Sequence, residues 1–160
     1  KAGEKLNQRT ISKFLKVSPT AIAKSISLLE KEGLIRIEKG KNINLNFISL
    51  NQDSKRAIEL KRIENLKNVY GSGLSEFLEE SFPGCTIILF GSYSRGEDAV
   101  NSDIDIAIIG TKGKEINLSI FEKKLEKNIR INFYYSLNDI HIYLKSNIFN
   151  GIILAGAIQL

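Results

Sequence analysis

The chain has 160 residues, 42% hydrophobic and 26% charged, which is enough apolar material for a folded core and excludes wholesale disorder. Its one cysteine, Cys85, excludes an internal disulfide framework and a cysteine-cluster metal site; we expect a small buried side chain at a strand start. The net charge of +5 is uneven, because residues 1–50 hold ten Lys and Arg against four Asp and Glu. This asymmetry predicts two modules with different partners.

No apolar run approaches the roughly 20 residues that span a bilayer. The chain also lacks a start in which basic residues precede an apolar stretch, as a signal peptide would have. We therefore expect no membrane partner. A cytoplasmic location is expected, and the scarcity of cysteine agrees with a reducing compartment.

Residues 1–50 have the pattern of two short helices followed by a hairpin. The segment NQRTISKFL predicts the first helix. Ser18 as N-cap and Pro19 at the first helical position begin the second helix, over 19–32, which Gly33 ends. The alternating segment LIRIEKGKNINLNF predicts the hairpin. The apolar faces of the two helices consist of Ile11, Phe14, Leu15, Ile22, Ile26 and Leu29.

A helix, a turn, a capped helix and a basic hairpin in this order resemble a winged helix-turn-helix domain. The resemblance implies that helix 19–32 enters the major groove of double-stranded DNA and that the hairpin tip contacts phosphates. The residues expected to contact DNA are Thr20, Lys24, Ser27, Lys31, Lys39 and Lys41. The alternative is a helical mini-domain whose solvated face is basic. Such domains usually carry an earlier helix, and the chain has no initiator methionine, so we expect a fragment whose first helix is missing.

After residue 50 the pattern changes to a connector and then to alternating strands and helices. The segment 51–70 is predicted to be an amphipathic connector helix that Gly71-Ser72-Gly73 closes. Beyond it, CTIILF, DIDIAII and IRINFYYS predict strands, while LSEFLEESF, NLSIFEKKLEKN and NDIHIYLKSNIF predict helices. Residues 71–160 are therefore expected to form a small mixed-sheet domain, and the whole chain to be of the α+β class.

The stretch LFGSYSRGEDAVNSDIDIAII places two acids in an apolar strand. The two-residue period of a strand puts Asp103 and Asp105 on one face, where two like charges need a positive partner. Magnesium would supply it, since Mg²⁺ prefers carboxylates together with substrate phosphate oxygens. Gly91 and Ser92 follow a buried strand and open a short helix, an arrangement suited to phosphate, and Arg95 adds a guanidinium.

Gly-Ser, ten residues and then Asp-x-Asp resembles the nucleotidyltransferases of the DNA polymerase beta type, and most closely the minimal nucleotidyltransferases of prokaryotes. The resemblance implies that Gly91 and Ser92 hold a nucleoside triphosphate and that Arg95 assists at its phosphates. It also implies that Asp103 and Asp105 are catalytic and bind magnesium in a two-metal site. Members of the family transfer a nucleoside monophosphate to a hydroxyl acceptor; some modify antibiotics, and others are antitoxins that act on a partner protein.

The third carboxylate of active members, which lies on the next strand, is missing here. In IRINFYYS, Asn132 shares a face with Arg130 where that acid is expected, so Asn132 is a candidate metal ligand. An amide offers an oxygen but is no general base, and it removes one negative charge, which weakens the hold on a second cation. Substitute bases, among which the spacing does not choose, are Glu122, Glu126 and Asp139.

Three functions stay open from the sequence. The first is a nucleotidyltransferase coupled to sequence-specific DNA binding. The second is a catalytically impaired regulator in which nucleotide or metal binding modulates DNA binding. The third is an antitoxin-like protein that binds a toxin-like partner and its own operator; a homodimer is compatible with each. The magnesium interpretation requires that the two acids lie near the Gly-Ser corner and that no neighbouring lysine or arginine already neutralises them.

Overall fold

The computed structural model describes residues 4–40 and 45–158. The chain divides into two compact units, Lys1–Leu60 and Lys61–Leu160. Lys41, one of the residues predicted to contact DNA, lies outside the described residues. Within the described ranges, no helix combines the length and the apolarity needed to cross a membrane.

The first unit contains two helices and a three-stranded antiparallel sheet. Its elements in chain order are β1 (Leu6–Asn7), α1 (Gln8–Leu15), α2 (Pro19–Lys31), β2 (Ile35–Lys39) and β3 (Asn46–Leu50). The strand order is β1-β3-β2. As predicted, α2 begins at Pro19, and the Ser18 side chain caps it by accepting a backbone hydrogen bond. The predicted apolar faces are only partly buried. Ile22 is buried, whereas Phe14 and Leu15 are each 62% exposed.

The second unit is built on a four-stranded mixed sheet, so the chain is an α+β protein. Helix α3 (Lys55–Ser72) begins in the first unit and ends in the second. The elements that follow it are α4 (Leu74–Ser81), β4 (Thr86–Phe90), α5 (Gly91–Arg95), β5 (Ile104–Ile109), α6 (Ser119–Leu125), β6 (Ile129–Tyr134), α7 (Ile142–Phe149) and β7 (Ile152–Ala155). The strand order is β6-β5-β4-β7. Strand β4 is antiparallel to both of its neighbours, while β5 and β6 are parallel and are joined through α6.

The C-terminal segment differs from the prediction in two places. Instead of one helix over NDIHIYLKSNIF, a single 3-10 turn at Leu137–Asp139 precedes α7, with Ile140 and His141 between them. Ile140 is 2% exposed and packs in the core, so the chain stays extended there. The apolar end of the chain, for which no element was predicted, is β7 and pairs with β4.

The two faces of the sheet bury different sets of side chains. Ile104, Ile106 and Ile108 of β5 pack in a cluster with residues of α3, α4 and α6. Ala107 belongs to a second cluster on the opposite face, which Ile148 of α7 helps to form. Since side chains alternate along a strand, Asp105 lies on this second face, at the start of β5.

Candidate functional site

The end of β4 lies beside the start of β5, and Phe90 is the register partner of Asp105. The next residue, Gly91, has a φ of +75°, a conformation that residues with a side chain rarely adopt. A Cβ atom at this position would lie 2.6 Å from Oδ2 of Asp105. Any other residue would therefore be strained and would push the carboxylate away. Gly91 and Asp105 are in direct contact, as the magnesium interpretation requires.

Ser92 and Arg95 lie on α5, which is only five residues long. Ser92 is half-buried, and its hydroxyl forms no hydrogen bond within the described part of the chain. Arg95 is already engaged: its Nε donates to Oε2 of Glu97 at 2.7 Å, and its Nη1 donates to Oδ1 of Asn147 at 3.0 Å. Because Glu97 is exposed, Arg95 can exchange this carboxylate for a phosphate oxygen with little loss of stability.

Asp105 is a half-buried carboxylate whose charge is not fully compensated. Burial raises its pKa, the Arg130 charge offsets part of that effect, and the nearby Asp103 raises the pKa further. A carboxylate kept in such surroundings gains stability from an added cation. Perturbed acids of this kind are concentrated at functional sites.

Asp103 directly precedes β5 and already has a cationic partner. Nη2 of Arg130 lies 3.0 Å from its Oδ2, and Nδ2 of Asn128 donates to its Oδ1 at 3.4 Å. The requirement that no arginine neutralise the pair is therefore not met at Asp103. The Arg130 side chain is 67% exposed, however, and an ion pair at that exposure contributes only about 0–1 kcal/mol. A divalent cation can displace it.

The register of β5 and β6 decides which side chain stands beside Asp105. Arg130 is its register partner, whereas Asn132 is the partner of Ala107, one pair further along the same face. In residues 4–40 and 45–158, no group of three or more His, Cys, Asp and Glu side chains could hold a metal ion. The residues present fit one divalent cation bound by Asp103, Asp105 and substrate phosphate oxygens.

Two of the three substitute bases are engaged with backbone groups. Oε1 of Glu122 accepts a hydrogen bond from the N–H of Ile129 at 3.0 Å. Oδ2 of Asp139 accepts one from the N–H of Ser136 at 2.8 Å and completes a capping box. Glu126 is exposed at the end of α6 and, with Glu122, lines a surface cavity of about 490 Å³. Glu122 and Asp139 thus have structural roles.

A buried ionic network that sequence reasoning missed is centred on Asp98. Its Oδ1 accepts hydrogen bonds from Lys61 at 2.6 Å and from Asn65 at 2.7 Å, and its Oδ2 lies 3.3 Å from Nζ of Lys127. Burial by itself raises the pKa of Asp98, but the hydrogen bonds and charges of these partners outweigh it and lower the pKa. The partners lie 37, 33 and 29 positions away in sequence, so no local motif indicates them.

Lys127 also holds the loop that leads into the acid pair. Its Nζ donates to the carbonyl oxygens of Ala99 at 2.7 Å and of Ser102 at 3.1 Å, while only 13% of its side chain is exposed. Ser102 immediately precedes Asp103. The network therefore fixes the backbone on the N-terminal side of the acid pair.

The residues predicted to contact DNA lie in the first unit. Lys24, Ser27 and Lys31 recur at helical spacing on α2, so they share one face of it. They are exposed, as are Thr20 near the start of α2 and Lys39 at the end of β2.

A comparison with protein families matches residues 72–154 to the nucleotidyltransferase domain. The matched segment is just over half of the 160 residues and includes Gly91, both acids and Arg130. Searches of curated proteins and of solved structures found no significant match. Because the match covers more than half of the chain, the chain belongs to the nucleotidyltransferase domain family.

Proposed function

We propose that the second unit binds a magnesium–nucleoside triphosphate complex and transfers the nucleoside monophosphate to a hydroxyl acceptor. The observation that carries this proposal is the contact between Gly91 and the carboxylate of Asp105. Because of this contact, we take Gly91, Ser92 and the acid pair Asp103 and Asp105 to form one site. When bound, magnesium would neutralise the carboxylates and polarise the triphosphate.

The described residues support separate roles around the triphosphate. Asp103 and Asp105 provide carboxylate oxygens for the cation. The Ser92 hydroxyl donates a hydrogen bond to a phosphate oxygen, and Arg95 binds a second one after leaving Glu97. The proposal rests on the chain positions of these residues: Gly91 and Ser92 follow β4 directly, and Asp103 and Asp105 stand at the start of β5.

The transfer step needs no covalent enzyme intermediate. The acceptor oxygen bonds to the α-phosphorus, and the bond from that phosphorus to the pyrophosphate breaks, so that pyrophosphate leaves with the electron pair. We expect the acceptor proton to pass to water, because Asn132 stands where the family's third acid is expected and an amide is no general base. Since a positioned general base contributes about 10²–10⁴-fold, we expect slow transfer.

The test is transfer of label from each of the four α-labelled triphosphates, with Mg²⁺ and a cell extract as the acceptor pool. We expect labelled product with the wild type and none with Asp103→Asn or Asp105→Asn. Glu64→Gln, an equal charge change at an exposed position of α3, is the control and should retain activity. If the wild type neither binds a triphosphate nor transfers label, the proposal is refuted.

A second candidate function is nucleotide binding without transfer. The specific observation in its favour is the ion pair of Arg130 with Asp103, together with the missing third acid. In this case the bound nucleotide regulates the first unit. Triphosphate binding that depends on Asp105, with no labelled product from any of the four nucleotides, selects this candidate.

For the first unit we propose a winged helix-turn-helix domain that binds double-stranded DNA. Its support is the net charge of +6 in residues 1–50 and the exposure of Lys24, Lys31 and Lys39. Lysines on one helix and on the hairpin suit phosphate contacts, which fix a helix in the major groove. The proposed coupling predicts that the triphosphate changes the affinity for DNA.

A further inference from the structure

We propose that Arg130 supplies the acid pair with the positive charge that a second metal ion would otherwise bring, so that the site takes one divalent cation. The inference shares with the proposed function only the assignment of a cation to Asp103 and Asp105. In addition, the site takes one metal ion, and Arg130 is the group that limits that number.

The position of Arg130 follows from the sheet. Parallel pairing of β5 and β6 makes it the register partner of Asp105, on the same face. Its Nη2 reaches Oδ2 of Asp103 at 3.0 Å. One guanidinium therefore stands beside one acid and forms an ion pair with the other, because Asp103 lies two residues before Asp105 along the chain.

Charge and ligand number both oppose a second metal ion at this place. A guanidinium within ion-pair distance of Asp103 repels a divalent cation bound to the same carboxylate. The described residues also offer no third carboxylate near the pair, because Arg130 itself stands at the neighbouring strand position. The Arg130 side chain is 67% exposed, so it can yield Asp103 to the first cation while its charge remains close.

The experiment is a titration of the full chain with Mn²⁺ alone, in which free Mn²⁺ is followed by electron paramagnetic resonance. The charge-removing variant Arg130→Gln is expected to bind Mn²⁺ about tenfold more tightly than the wild type, because a repelling unit charge is gone. Arg130→Lys keeps the charge and should stay within threefold of the wild type. Arg62→Gln makes the same substitution on α3, which packs on the opposite face of the sheet, and should change nothing.

The number of bound ions provides an independent readout. The wild type should bind one Mn²⁺, whereas Arg130→Asp, which adds a third carboxylate beside Asp105, should bind two. Two ions in the wild type, or equal affinities of the wild type and Arg130→Gln, overturn the inference. Neither of those results bears on the proposed transfer activity, which the labelled-nucleotide assay tests separately. If Asp105→Asn does not weaken Mn²⁺ binding, in contrast, the acid pair is not the cation site, and both proposals fail.

Discussion

Replacement of Asp98 by asparagine removes the centre of the buried network beside the acid pair. The Asp98 side chain is 4% exposed, and those of its two cationic partners, Lys61 and Lys127, are 15% and 13% exposed. Asp98→Asn keeps the shape but leaves two nearly buried ammonium groups without a counter-charge. Breaking a buried ion pair from one side typically costs about 3–5 kcal/mol.

The magnitude expected here is at the lower end of that range. Lys61 keeps the backbone carbonyl oxygen of Asp98, and Lys127 keeps the carbonyl oxygens of Ala99 and Ser102. We therefore expect a loss of about 3 kcal/mol in the free energy of unfolding of the second unit at pH 7. Glu64→Gln, which removes an exposed charge paired with Lys67, should lose less than about 1 kcal/mol.

The effect should depend on pH in a defined direction. The pKa of Asp98 is lowered in the folded state from its ordinary value of 3.8, so its stabilising contribution is complete above that value. It is lost as the pH falls through the folded-state pKa, below 3.8. The difference in the free energy of unfolding between the wild type and Asp98→Asn should therefore be constant from about pH 5 upwards, which is above both the folded-state and the unfolded-state pKa of Asp98. It should shrink in stronger acid.

Native-state hydrogen exchange is the suitable measurement, because it reports the second unit separately from the first. The amides of Ile88 and Ile106, which are 1% and 0% exposed, should exchange by unfolding of this unit. A loss below about 1 kcal/mol would mean that the network behaves like an exposed ion pair. That result, or a difference in the free energy of unfolding that does not shrink in acid, would contradict the role assigned to Asp98.

Further substitutions test the Gly91–Ser92 corner and the DNA surface of the first unit. Gly91→Ala should displace the Asp105 carboxylate and weaken triphosphate binding. The control is Gly71→Ala, in an open position of α3, which should raise the free energy of unfolding by about 0.5–1 kcal/mol. Equal triphosphate affinities of these two variants would contradict the role of Gly91 at the triphosphate site. If Lys24 and Lys31 each neutralise one phosphate, replacing either by alanine should change the salt dependence of binding to duplex DNA. The slope of log K against log salt concentration should become smaller in magnitude by about 0.9 in each variant. An unchanged slope in both variants would exclude these contacts.

Local patterns predicted those parts of the fold in which neighbours in sequence determine the conformation. Ser18 and Pro19 mark the start of α2 because a cap and a fixed φ act within one turn. The C-terminal end of α3 could not be predicted in this way. The helix was expected to end before Gly71, but it continues through Gly71 and Ser72. Burial of Val69 and Ser72 along one side of the helix outweighs the low helix propensity of glycine.

From consecutive residues alone it follows that Arg130 and Asn132 share one face of their own strand, because side chains alternate along a strand. Which of the two stands beside Asp105, and on which face of the sheet, follows from strand pairing, because the register joins positions 25 residues apart. The same limit applies to Asp98, whose counter-ions Lys61 and Lys127 are brought together by packing alone.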